Sequence, residues 1–221
     1  MFRYLHMRQF LQNLIYTLPA ILIAISVHEY AHGFVSYKLG DPTPKRDGRL
    51  TLNPFAHMDV YGTLCLVFFR MGWAKPVRIN VGYYKNRKLG IILVALAGPV
   101  MNYLVAFIAM LLYGFCYKNG LGAGTWFYYI AVVNVGLGTF NLIPIPPLDG
   151  SNVLMEIVPK VQRFYGKIRR YAPIILFVCM SVGFLRSPLN QANDWVLDGM
   201  WSVVKDILKI GVRTQTTGIV V

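Results

Sequence analysis

The chain has 221 residues, of which 56% are hydrophobic and only 14% charged. Soluble domains carry about 25% charged residues, so a wholly soluble protein is excluded and much of the chain is expected to lie in lipid. Its 22 basic and 9 acidic residues give a formal charge of +13. The charges cluster between apolar runs, as loop lysines and arginines of a membrane protein do, which argues against a nucleic-acid binder.

A helical span needs about 20 apolar residues. The first candidate runs from about Leu11 to Leu39, and Gly40-Asp41-Pro42 ends it, since proline disfavours helix at the residue before it. Residues 40–59 are polar and rich in Gly, Pro and Asn, and read as loop. Residues 60–72 are apolar but too short to cross, so a re-entrant or half-buried segment is expected there. From Trp73 to Val81 a weak alternation with β-branched residues predicts a short strand or hairpin arm near the membrane surface. Further spans are predicted at about Leu89–Tyr117 and Trp126–Ile143, joined by a Gly-rich turn over 120–124. Residues 151–170 are amphipathic, and Tyr171–Leu185 is a short span. Trp195–Val212 is apolar but holds Asp198, Lys205 and Asp206, so it either crosses or lies flat in the interface.

The predicted fold is therefore an all-α polytopic membrane protein with about five transmembrane helices, plus a short re-entrant or β-hairpin segment after the first helix. It forms a single membrane-embedded domain over residues 1–221, with a core at about 10–155 and C-terminal helices at 171–212. Residues 40–88 carry nine Lys and Arg and residues 151–170 carry five, whereas the turns 118–124 and 186–194 carry one each. Positive charge stays on the cytoplasmic side, which places the two heavy loops there, the N-terminus outside and, with five crossings, the C-terminus inside. Cys65, Cys116 and Cys179 form no CxxC pair and fit apolar packing better than a disulfide framework.

The sharpest motif is His28-Glu29-Tyr30-Ala31-His32, an HExxH at the end of the first apolar run. Residues four apart share a helix face, so His28 and His32 can grip one Zn²⁺ while Glu29 reaches the water beside it. Charged groups at bilayer depth cost at least about 2.5–3.5 kcal/mol on insertion scales, a cost normally tolerated only for function. A catalytic zinc needs a third protein ligand and one open position. His6, His57, Asp59 and Asp149 are the candidates. Asp149 is preferred, because it follows Pro144-Ile145-Pro146-Pro147, where helix cannot continue and irregular backbone can line a cavity. On spacing alone, an Asp-Gly turn at the membrane surface is an equal alternative for Asp149.

His28-Glu29-xx-His32 on a first hydrophobic helix, followed by Asn141-xx-Pro144-xxxx-Asp149-Gly150, resembles the site-2 protease family of intramembrane metalloproteases. Gly48-Arg49-Leu50-Thr51-Leu52-Asn53-Pro54, Gly72-Trp73-Ala74-Lys75-Pro76-Val77 and Ala97-Gly98-Pro99-xx-Asn102 are similar to its small, single-domain branch. The resemblance covers roughly residues 10–155. It implies one Zn²⁺ per chain, held by His28, His32 and Asp149, with Glu29 as general base. Many family members carry PDZ or nucleotide-sensing modules, and neither is legible in this sequence. The expected activity is zinc-dependent endoproteolysis of membrane-spanning protein substrates, in a bacterial or archaeal plasma membrane, with the active site towards the cytoplasm.

Beyond the ligands, Asn141, Asn134 and Asn102 are candidates for oxyanion binding or for supporting the ligands; ordinary helix–helix hydrogen bonding is the alternative. Val77, Ile79 and Val81 offer a strand edge for an extended substrate, against a plain surface hairpin. His57 and Asp59 fit the holding of their loop better than a second metal site. The bilayer and a transmembrane substrate are the expected partners, and nucleic acid is not. The rival readings are a zinc-binding membrane transporter, which would spread its polar residues along a path, and a non-catalytic scaffold.

Overall fold

The structure, a computed structural model, describes residues 2–59, 62, 75–168 and 170–211, with side chains from Leu14 onward. Helix α1 (Phe2–Lys38) carries the HExxH motif. It stops as the sequence predicts: Gly40 takes φ 105°, and Asp41 N–H reaches Ser36 O while Gly40 N–H reaches Tyr37 O. Those two bonds satisfy the last carbonyls of α1, and glycine is the residue that meets the left-handed turn without a Cβ penalty. Two single-turn helices follow, α2 (Thr43–Arg46) and α3 (Pro54–His57). A 3₁₀ turn (Val81–Tyr83) then leads to α4 (Arg87–Lys118), whose first turn is capped by Asn86 Oδ1 accepting from Leu89 N–H at 3.0 Å. Helix α5 (Gly124–Asn141) returns along α4 after a turn made by Gly120 in the left-handed region. The amphipathic stretch forms α6 (Asp149–Ile157) and α7 (Pro159–Ile168), and the chain ends in α8 (Ala172–Ser181) and α9 (Arg186–Leu208).

α1, α4 and α5 pack on one another more extensively than any other elements. Small residues let them approach: Ala20 and Ala24 of α1, Ala106 of α4 and Ala131 of α5 are fully buried. Lipid offers no hydrophobic drive between helices, so close packing of small side chains takes its place. The outward face of α4 is the reverse. Leu89, Leu93, Val100, Leu104, Ile108, Leu112 and Phe115 follow a three-to-four-residue period and are all exposed, Val100 by 62%. Such a continuous apolar stripe would be a liability in water and is the expected surface against acyl chains.

α1 from Leu14 and α4 are long and apolar enough to cross a membrane; α8 and α9, bent by 80° at their break, add at most one more. The expected count of about five crossings is therefore not reached among the described residues. The short span over 171–185 becomes ten helical residues, about 15 Å at 1.5 Å per residue, too short to cross alone. α9 packs on the bundle: Val204 joins the core with Ala109, Met110 and Ala131. Its last turn lies beside the end of α4, where Lys118 Nζ donates to Leu208 O at 2.8 Å. That is the end of the bundle away from the loop after α1; residues 212–221 lie outside the described residues. The re-entrant segment over 60–72 lies outside the described residues apart from Gly62. The described residues contain no strand. The predicted hairpin arm is an extended segment over 75–80, tied at its start by Lys75 N–H to His57 O at 2.8 Å.

α9 depends on Gly114: a Cβ there would stand 2.6 Å from Val204 and 2.9 Å from Leu208. Gly114→Val is expected to destabilise the chain by about 1–3 kcal/mol through overpacking. Thermal unfolding in detergent, compared with Gly122→Ala in the open turn, checks it; equal midpoints would refute the packing account.

Candidate metal centre

His28 and His32 lie one turn apart on α1 and are buried. His32 Nδ1–H donates to the Val94 carbonyl at 2.6 Å. A carbonyl only accepts, so this bond fixes the proton on Nδ1 and leaves the lone pair on Nε2. Asn102 does the same for His28. Its Nδ2 donates to Ala24 O at 3.0 Å and to Asn134 Oδ1 at 2.8 Å, so the atom facing His28 Nδ1 at 2.6 Å is the acceptor Oδ1. Asn134 is held in turn by Nδ2–H to Ile130 O at 2.9 Å. Both Asn side chains are wholly buried.

The two Nε2 atoms point at each other, 3.0 Å apart. With both Nδ1 protons committed, neither nitrogen has a proton to share with the other. Asp149 Oδ2 completes a triangle, 3.1 Å from His28 Nε2 and 3.3 Å from His32 Nε2. A tetrahedral ion with bonds of about 2.0–2.1 Å sets its ligand atoms about 3.3 Å apart. Two lone-pair nitrogens and a carboxylate oxygen at that spacing therefore fit a small divalent cation. Among the described residues these three form the one group of His, Cys, Asp and Glu gathered closely enough to hold a metal.

Two glycines make the triangle possible. A Cβ on Gly98 would stand 2.5 Å from His28 Cε1 and 2.6 Å from His32 Nε2, so α4 passes the histidines only without a side chain there. Gly98 and Asn102, one turn apart, explain the Ala97-Gly98-Pro99-xx-Asn102 stretch physically. A Cβ on Gly150 would stand 2.2 Å from Leu142 O, so the Pro-rich break folds α6 tightly back on the end of α5. Asp149, the first residue of α6, is thereby aimed at α1. Tyr165 of α7 donates its hydroxyl to the Pro144 carbonyl and pins the same break from the other side.

A cavity of about 970 Å³ opens on the three donors and on Glu29. Glu29 Oε2 accepts from the Val77 N–H at 3.1 Å. Asn141 lines this cavity, with its Nδ2 donating to Leu137 O at 3.0 Å. Asn134 and Asn102 stand behind His28 instead, away from any oxyanion. Val77, Ile79 and Val81 line the cavity, but they make no ladder, and Val77 spends its N–H on Glu29. His57 is fully buried with its Nε2 on Thr51 O at 2.8 Å, and Asp59 Oδ1 accepts from Gly62 N–H at 2.8 Å. Both hold their loop, and neither joins the metal group; the His6 side chain lies outside the described residues.

The sequence reading passed over Asp41 as part of a helix stop. It is wholly buried. Its carboxylate accepts from Ser36 Oγ at 2.8 Å, Asn80 N–H at 2.8 Å and Thr43 N–H at 2.9 Å, and Ser36 Oγ also meets Tyr84 OH at 2.7 Å. A carboxylate just past a helix C-terminus meets the unfavourable end of the helix dipole, which was the available signal that it serves another purpose. Burial alone would raise the Asp41 pKa, but the donors from Asn80, Thr43 and Ser36 outweigh it and hold the carboxyl below its ordinary value.

Residues 116–184 match the sequence profile of Peptidase family M50. The chain is 38% identical over 206 residues to YwhC of Bacillus subtilis, whose name places it among zinc metalloproteases; the match covers 87% of this chain and 94% of YwhC. Rip2 of Mycobacterium tuberculosis, named in the same class, is 26% identical over 186 residues, 80% of this chain and 71% of its own length. Zinc metalloprotease MJ0392 of Methanocaldococcus jannaschii is 24% identical over 140 residues, 63% of this chain and 33% of its own. No solved structure gives a significant match.

Gly98→Ala is expected to abolish metal retention by displacing both rings, and Asn102→Leu to weaken it by about 10–100-fold, the usual cost of losing a ligand's supporting partner. Metal titration of the purified variants checks both, and wild-type affinity in Gly98→Ala would refute the close approach. Because the Asp41 pKa is lower folded than unfolded, its contribution to stability is complete above about pH 4 and is lost as pH falls through the folded value. The gap in thermal midpoint between wild type and Asp41→Ala is expected to be constant above about pH 5 and to shrink below pH 4. A gap that does not change with pH would refute this.

Proposed function

From the premise that this chain belongs to peptidase family M50 and is a zinc metalloprotease of the membrane, we infer the narrower reading that it hydrolyses peptide bonds of membrane-spanning substrates. One observation carries the reading. The His28–His32–Asp149 triangle is built on a helix apolar enough to cross the bilayer, and it faces a cavity large enough for an extended peptide.

His28, His32 and Asp149 are the zinc ligands in this proposal. Bound there, zinc supplies a Lewis acid for the scissile carbonyl and lowers the pKa of a water towards 7. Glu29 takes the proton from the attacking water and returns it to the leaving amine. In this proposal Asn141, which lines the cavity, steadies the substrate carbonyl with the amide proton not given to Leu137 O. A helical substrate hides its peptide bonds in its own hydrogen bonds, so it must unwind locally before it meets Glu29. The extended segment over 75–81 lines the cavity and offers Ile79 and Val81 as side-chain contacts for such an unwound stretch. Val77 serves Glu29 instead.

The apolar stripe of α4 and the basic loops over 40–88 and 151–170 support a multi-pass protein of a plasma membrane, with the metal end of the bundle at the cytoplasmic face. Regulated proteolysis of membrane-anchored signalling proteins is the role proposed, by analogy with the site-2 protease family. The bilayer and the substrate are its partners, with no part for nucleic acid.

The test uses purified, detergent-solubilised chain, a zinc assay, and a reporter made of a model transmembrane helix with an Asn-Pro break between two fluorophores. Wild type is expected to hold about one zinc and to cut within the helix. Glu29→Gln keeps the zinc and loses about 10²–10⁴-fold in rate, whereas Asp149→Ala loses both. Unchanged zinc in Asp149→Ala, or unchanged cleavage in Glu29→Gln, would overturn the assignment.

A further inference from the structure

The segment that walls one side of the cavity is tied at its start by Lys75 N–H to His57 O and at two further points that the metal does not explain. At the first, Val77 N–H donates to Glu29 Oε2 at 3.1 Å. At the second, three residues on, Asn80 N–H donates to the buried Asp41 carboxylate at 2.8 Å. Ser36 Oγ donates to the same carboxylate oxygen and Thr43 N–H to the other, and Tyr84 OH joins Ser36 at 2.7 Å. The Tyr84 ring lies so close to α4 that a Cβ on Gly90 would come within 2.4 Å of it. Behind the segment, the Val77 side chain is buried against α1 at Gly33, where an added Cβ would meet it at 3.4 Å.

Residues 77–80 make no strand ladder, so no sheet sets the height of the Val77 N–H above Glu29. Three residues of extended chain span about 10 Å. The position of the Val77 amide is therefore set between two tethers, Lys75 on His57 O and Asn80 on Asp41, and Asn80 is the one held by a side chain of the α1 end. Glu29 has a flexible side chain, and one amide donor on one carboxylate oxygen restricts how it turns, leaving the other oxygen for the proton of the attacking water.

We propose that Asp41 is a positioning residue for the base: by holding Asn80 it sets the Val77 N–H against Glu29 and so fixes the orientation of that carboxylate in the cavity. The proposal rests on the reading of Glu29 as general base. Misplacing a reacting group by about 1 Å can cost on the order of 100-fold.

The test compares wild type with Asp41→Asn in the full, zinc-loaded chain, by hydrogen exchange over residues 75–84 and by cleavage of the helical reporter. Exchange at the Val77 and Asn80 amides is expected to rise by at least about tenfold, with α1 and α4 as protected as before. Zinc content is expected to be unchanged and kcat to fall about 10–100-fold, while any disturbance of the Ile79 and Val81 contacts is read separately in KM. Val77→Pro removes the donor itself and is expected to give a similar loss, and Asp41→Asn should add nothing in that background. Val77 remaining protected in Asp41→Asn overturns the proposal whether or not the reporter is cut. So does a kcat loss that only tracks lost zinc-loaded protein, or two losses that multiply. Should Asp41→Asn fail to fold, Ser36→Ala removes one donor to the same carboxylate. A smaller kcat loss at unchanged zinc content, with faster exchange at Val77, then supports the proposal, and unchanged exchange and kcat overturn it. Wild-type cleavage by Glu29→Gln sinks the base assignment alone and leaves the exchange result standing.

Discussion

Two imidazole rings, one turn apart in an apolar bundle, each give their Nδ1 proton to a different acceptor: the Val94 carbonyl for His32 and the Asn102 amide oxygen for His28. That commitment leaves two bare nitrogens 3.0 Å apart with no proton between them. Lone pairs crowded in this way repel unless a cation is shared, and the surroundings serve that arrangement. α4 must run close enough to bring both acceptors, which is why Gly98 carries no side chain. Asn102 must present oxygen rather than nitrogen, which its bonds to Ala24 and Asn134 enforce. The negative oxygen comes from Asp149, because the Pro-rich break lets α6 start against α1.

The fold outside this centre is governed by a different solvent. Small residues line the contacts among α1, α4 and α5, and large apolar ones face outward along α4, the inverse of a water-soluble bundle. Several polar side chains within the bundle sit in closed networks, with Asn134 backing Asn102 and Thr139 bonded to both Tyr103 and Val135 O, although the buried Asn193 Oδ1 has no partner among the described residues. Without water to satisfy stray donors, such groups find their partners within the protein.

Much of this was legible in the sequence because local rules fix it. The end of α1 at Gly40, the extents of α4 and α5, and the pairing of His28 with His32 follow from apolar run length, glycine and helical spacing. The role of Gly98 was not legible, because only the approach of a second helix shows what a side chain there would strike. Asn134 and Asn141, seven residues apart on one helix, looked equivalent; packing turned Asn134 towards Asn102 and left Asn141 on the cavity. The crossing count of about five is not confirmed among the described residues. Hydropathy reads the last two apolar runs as separate spans, whereas α8 and α9 meet at a bend of 80° and make at most one. Asp41 hid in plain view, since an acidic residue after a helix-stopping glycine also reads as an ordinary turn.

Asp149 and His28 are 121 residues apart in sequence yet share one point in space. An ion at that point acts as a cross-link between the first helix and the far end of the chain, closing a loop that holds most of the bundle. By mass action, a ligand that binds only the folded state deepens that state's stability as its concentration rises above its dissociation constant. Metal supply thus governs the persistence of the protein as well as its chemistry. In a cell short of zinc, the idle form is also the form most readily opened and degraded, so its abundance would follow the metal without a dedicated regulator.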